Sequence, residues 1–141
     1  MRWIQRLFGG EREPGHETPG GVLPPEEGAR IGTEEDLLVG YEEAFERNLE
    51  AARSEERGDA EEAIRLYKTS VEEEFVGAHP YERLAALHES RRNYVEALRV
   101  TETYISLARS GRLPRGSQRS AERKLPEFEG RAARYRRMLK I

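Results

Sequence analysis

The chain has 141 residues, room for one domain, with 36% apolar and 36% charged residues. So thin a core supply under so solvated a surface suits stacked amphipathic helices better than a thick sandwich or a doubly wound sheet. The formal net charge is −3 and there is no cysteine, which excludes a disulfide framework, a thiolate metal site and a Cys nucleophile, and fits a cytoplasmic setting. No apolar run approaches the ~18 residues that a membrane span needs. The start is basic (Arg2, Arg6) but lacks the apolar stretch and small-residue cleavage site of a signal peptide. The small net charge hides an asymmetry. Residues 34–74 carry fifteen Asp/Glu against five Lys/Arg, and residues 112–141 carry ten Lys/Arg against three Glu.

In chain order, residues 1–8 place Trp3, Ile4, Leu7 and Phe8 on one helical stripe with Arg2 and Arg6 off it. Residues 9–32 contain seven Gly and four Pro with almost no apolar periodicity, a composition that predicts a disordered linker. Helical signals begin with Thr33 as N-cap and acidic residues in the first turn. Leu37, Leu38, Tyr41, Phe45, Leu49 and Ala52 recur at three- and four-residue steps and predict the first helix. Gly58-Asp59 ends it and caps a second helix, whose stripe is Ala63, Leu66, Tyr67, Ser70 and Val71. Residues 76–80 form a break with Pro80 at a helix N1 position. Tyr81, Leu84, Ala85 and Leu87 mark a third helix, closed by the Asn93 turn. Ala97, Leu98, Thr101, Tyr104, Ile105 and Ala108 mark a fourth. A loop from Gly111 to Gly116 precedes a last helix that starts at Ser117 or Ser120 and ends near Lys140. Its apolar face is Leu125, Phe128, Ala132, Tyr135 and Leu139, and Pro126 is expected to kink or restart it.

Sliding residues 44–75 by 34 positions onto 78–109 aligns nine identical residues: Ala44, Ala51, Ala52, Glu55, Arg57, Glu62, Ala63, Arg65 and Thr69 recur as Ala78, Ala85, Ala86, Glu89, Arg91, Glu96, Ala97, Arg99 and Thr103. Roughly three would match by chance in so biased a chain. Asp59 maps onto Asn93, one N-cap type for another. Ala51, Ala63, Ala85 and Ala97 fall where antiparallel helices must approach closely.

This pattern resembles the tetratricopeptide repeat (TPR) family, whose unit is a 34-residue helix–turn–helix. The second repeat supplies Tyr81, Leu84, Ala85 and His88 of the family pattern, and the first supplies Ala63 and Tyr67. Glu50 and Ser54 stand where Leu and an aromatic are usual, and Thr101 replaces the later aromatic. The stretch from His79 to Ala85, followed by Asn93-Tyr94, is similar to small bacterial proteins with this repeat. The resemblance implies an all-α fold of antiparallel helix pairs stacked as two repeats, about 44–77 and 78–111. A capping helix at about 117–140 covers the open face, and the whole helical domain spans 33–141.

The resemblance further implies a concave groove, lined by the first helix of each repeat, that binds a peptide or helix. The matching positions are Phe45, Asn48, Ala52 and Glu55 in the first repeat and Glu82, Arg83, Ala86 and Glu89 in the second, with Asn48 and Arg83 as polar anchors. The alternative function is association with nucleic acid through a basic last helix bearing Arg123, Lys124, Arg131, Arg134, Arg136, Arg137 and Lys140. Against it, these cations suit a solvated helix whose C-terminal dipole they complement. They could also be steered toward the acidic first repeat. Residues 1–8 suit weak docking on a membrane surface or in a partner groove. His16, His79 and His88 lack metal-ligand spacing, with His88 at a core position. No carboxylate is paired with a base in a catalytic arrangement, and Gly9-Gly10 and Gly20-Gly21 lack the context of a phosphate loop. The expectation is therefore a cytoplasmic, non-enzymatic protein-interaction module without cofactor or metal.

Overall fold

A computed structural model describes residues 34–141, and their side chains from residue 40 onward. The Thr33 cap, the side chains of Leu37 and Leu38, the stripe of residues 1–8 and the linker 9–32 lie outside the described residues. The described chain is all-helical. Its elements are α1 (Glu34–Glu56), α2 (Ala60–Glu72), α3 (His79–Ser90), α4 (Tyr94–Ala108) and α5 (Arg115–Leu139), and each packs against the next in sequence.

The 34-residue period recurs as geometry. Asp59 caps α2 by accepting from Glu62 N at 3.1 Å, and Asn93 caps α4 by accepting from Glu96 N at 3.3 Å. Each satisfies one orphan donor of a helix start. The turn before each cap matches as well. Gly58 and Arg92 both have positive φ, 81° and 57°. Asp59 N donates to Ser54 O, and Asn93 N to His88 O, both at 2.8 Å. This is a left-handed helix end that returns the chain sharply enough to begin an antiparallel partner. Ala51, Ala63, Ala85 and Ala97 are fully buried, as close helix approach requires.

A column of aromatic rings joins α3, α4 and α5. Tyr81 of α3 lies 4.9 Å from Tyr104 of α4, which lies 4.4 Å from Phe128 of α5. All three are essentially excluded from solvent. The buried Tyr81 hydroxyl donates to Phe75 O at 2.8 Å, so its polar end is satisfied. A second cluster joins α4 to α5 through Ala97, Leu98, Ala132 and Tyr135. Of the stripe expected on α5, Phe128, Ala132 and Tyr135 are buried while Leu125 and Leu139 are half-buried.

Four local expectations need correction. Pro80 is the second residue of α3, after His79, with Ala78 as N-cap. The last helix begins at Arg115, with Pro114 as N-cap, so Gly116 belongs to its first turn. It also continues through Pro126 as one helix rather than restarting there. That proline is exposed, on the side where water can replace the missing N–H. The largest correction concerns α1. Tyr41, Phe45 and Leu49, the apolar recurrence that predicts this helix, are 37%, 45% and 37% exposed, and the buried line is Gly40, Ala44, Asn48, Ala51 and Ser54. The small residues set the face, because α2 packs too closely on α1 to admit aromatic rings there.

Candidate functional site

The outward turn of Tyr41, Phe45 and Leu49 creates an apolar groove on the described surface. It has a volume of about 260 Å³ and lies between α1 and the α2–α3 connection. Its floor is Phe75, Gly77, Ala78 and His79, with Asn48 at the inner edge. Tyr41 stacks on Phe45 with ring centres 5.8 Å apart and on Phe75 at 5.2 Å. Gly77 shapes the floor, since a Cβ there would meet the Phe75 ring at 2.9 Å.

Asn48, expected as a polar anchor in the open groove, is instead committed inward. It is 3% exposed, and its Oδ1 accepts from Ser70 Oγ at 2.7 Å. Ser70 in turn accepts from Arg47 at 3.1 Å, and Arg47 pairs with Glu73. The chain Arg47–Ser70–Asn48 therefore satisfies a polar seam between α1 and α2. Arg83, the other expected anchor, forks onto Glu55 at 3.1 and 2.6 Å, joining α3 to α1. Tyr67 donates to the same Glu55 at 2.7 Å, and its ring meets His79 edge-on at 5.7 Å. Burial pushes the Glu55 carboxyl up, but the hydrogen bonds from Arg83 and Tyr67 and the Arg83 charge hold it below its ordinary range. Burial and the neighbouring Glu55 carboxylate push the Tyr67 hydroxyl up.

Glu89, the repeat equivalent of Glu55, sits in the same kind of cluster built from a different helix. Arg134 of α5 forks onto it at 2.9 and 3.2 Å, and Tyr135 donates at 2.7 Å. The repeat equivalent of Tyr67 is Thr101, whose hydroxyl turns back to Ala97 O at 2.7 Å. Tyr135 thus supplies from α5 the phenol that α4 lacks. The hydrogen bonds from Arg134 and Tyr135 lower the Glu89 carboxyl against the opposing effect of burial. Burial, with the hydrogen bond to Glu89, pushes the Tyr135 hydroxyl up to about 12. Glu82 is held by Lys124 at 3.0 Å. Ala52 and Ala86 are half-buried. Of the eight expected groove residues, Phe45 and Asn48 line the observed groove. Glu55, Glu82, Arg83 and Glu89 instead join neighbouring helices by ion pairs.

The basic residues of α5 are partly consumed in the same way. Lys124 pairs with Glu82, Arg134 with Glu89 and Arg136 with Glu102. Every one of these partners lies in the second repeat. The expected steering of α5 toward the acidic first repeat is not what these bridges do. Arg123, Arg137 and Lys140 are exposed and Arg131 is half-buried. A larger depression of about 510 Å³ between α4 and α5 is flanked by the Arg136–Glu102 and Arg109–Glu129 ion pairs. His88 is half-buried, and desolvation lowers its pKa. Among the described residues there is no cluster of side chains fit to hold a metal ion and no helix long and apolar enough to cross a membrane.

The sequence placed Phe45 and Asn48 in a groove but not Tyr41, Leu49, Phe75 or Gly77, which the fold brings beside them. The usable signal was the parallel line of Gly40, Ala44, Ala51 and Ser54, one position away on the helix. Compared with known proteins, the chain matches no family model, no curated protein and no solved structure.

Proposed function

We propose that this chain is a non-enzymatic, TPR-like protein-interaction module of the cytoplasm that binds an apolar protein segment along α1. The observation that carries this is the groove itself. Tyr41, Phe45 and Leu49 recur every four residues, remain more than a third exposed, and flank a floor containing Phe75. Such a strip accepts the i, i+4 side chains of an amphipathic helix. Grouped exposed aromatics, unlike scattered apolar residues, mark interaction surfaces. The 34-residue recurrence of caps, turns and buried alanines supports the repeat assignment. Asn48, Arg83 and Glu55 are already joined to neighbouring helices, so recognition at this site rests on apolar contact rather than on a carboxylate clamp. Nucleic-acid association draws less support, because three of the seven candidate cations are held in ion pairs.

Selection of displayed peptides on the full chain tests this. Bound peptides are expected to carry large apolar residues at three- or four-residue spacing and to lose affinity at least about tenfold on Phe45→Asp. Peptides that bind the Phe45→Asp chain equally well refute the assignment of the groove.

A further inference from the structure

We infer that the groove on α1 is closed in cis by the N-terminal segment of the same chain, residues 1–8; this rests on the groove being a binding surface. Three observations select this occupant. The first is shape. Trp3 and Leu7, and Ile4 and Phe8, are spaced four apart, the spacing of Tyr41, Phe45 and Leu49. Two such stripes can interdigitate as ridges along helices.

The second is charge. Arg2 and Arg6 flank the segment's apolar stripe at the same four-residue spacing. Glu42 and Glu46, both exposed, flank the groove on α1. The α5 bridges reach Glu82, Glu89 and Glu102 rather than these two residues. The basic segment therefore faces an acidic rim that the basic helix leaves to it.

The third is reach. Twenty-five residues, 9–33, separate this segment from α1 in the sequence. A Gly-rich coil of that length spans roughly 25–30 Å, and Phe45 lies roughly 17 Å along α1 from Glu34. A tether so matched gives an effective concentration on the order of 1 mM. A segment with an intrinsic Kd of ~100 μM would then be about nine-tenths docked. An external ligand would bind about tenfold more weakly than to the open groove.

Trp3 is the sole tryptophan of the chain, so its fluorescence reports on this segment alone. In the full chain its emission is expected to be blue-shifted, with the fraction open to acrylamide reduced to roughly one-tenth, independent of protein concentration. Phe45→Asp should restore the emission of a solvated indole. Leu49→Lys serves as a second groove variant should the first disturb the helices, as judged by circular dichroism. Arg2→Glu with Arg6→Glu should raise the exposed fraction. Trp3→Ala with Phe8→Ala should tighten binding of the selected peptides about tenfold. A solvated Trp3 in the unaltered chain overturns the inference, as does shielding that survives both groove variants. Shielding that grows with protein concentration assigns the segment to a second copy, and shielding seen only with phosphatidylserine vesicles assigns it to a membrane; either also overturns docking in cis. Peptides that depend on Phe45 beside a solvated Trp3 leave the groove standing and remove only its intramolecular occupant. Peptides indifferent to Phe45 remove the groove as well.

Discussion

Glu55 and Glu89 occupy the same place in successive repeats, and each collects a forked arginine and a tyrosine hydroxyl. Both carboxyls are held below the ordinary value of 4.5: at Glu55 against burial, by Arg83 and Tyr67, and at Glu89 chiefly by Arg134 and Tyr135. The unfolded chain takes up these protons near the ordinary value, and the folded chain only at lower pH. The stabilisation is therefore complete above about pH 5 and is lost as pH falls through the folded values. Thermal melts between about pH 7 and pH 3 should show a steeper loss of Tm in the unaltered chain than in a Glu55→Gln, Glu89→Gln double variant. At neutral pH, Glu55→Ala strands Arg83 and the buried Tyr67 hydroxyl and should cost about 1–3 kcal/mol in urea unfolding.

At the scale of elements, the two interhelical turns form an internal comparison. Gly58 adopts positive φ without a side chain, whereas Arg92 adopts it with one. A left-handed non-glycine residue costs about 1–2 kcal/mol, and glycine's greater freedom in the unfolded chain returns about 0.4–1 kcal/mol of that difference. Strain relief wins, so Arg92→Gly should stabilise the fold by about 0.5–1 kcal/mol in urea titrations. The paired alanines act in the opposite sense. Ala85 is fully buried, and Ala85→Leu should destabilise by about 1–3 kcal/mol through overpacking. These features were legible in the sequence because period, cap type and small-residue placement are local signals. The continuity of α5 through Pro126 was not, because a proline's effect depends on which side of the helix faces water.

For the whole molecule, α5 does more than cover an open end. It contributes Phe128 to the aromatic column, Tyr135 to the Glu89 cluster, and three cations to the second repeat. Phe128→Ala should cost about 3–5 kcal/mol and lower the whole thermal transition rather than that of α5 alone. The basic end of the chain thereby becomes structural cement for the second repeat. Glu42 and Glu46 of α1 stay exposed beside the apolar groove.

Composition, the 34-residue period, the caps at Asp59 and Asn93 and the repeated spacing of alanines determined from the sequence alone that this chain folds into consecutive amphipathic helices. Each of those signals acts within a turn or between neighbouring helices. Which face of α1 is buried was decided only by the tertiary structure. Two apolar faces one position apart, one small and one large, competed for the same contact. Only the small one, Ala44 and Ala51 with Asn48 and Ser54, fits the close approach of α2. The large one was left outside, and with it the groove. The fates of Asn48 and Arg83 were likewise set by neighbours 22 and 28 residues away, beyond the reach of any local pattern.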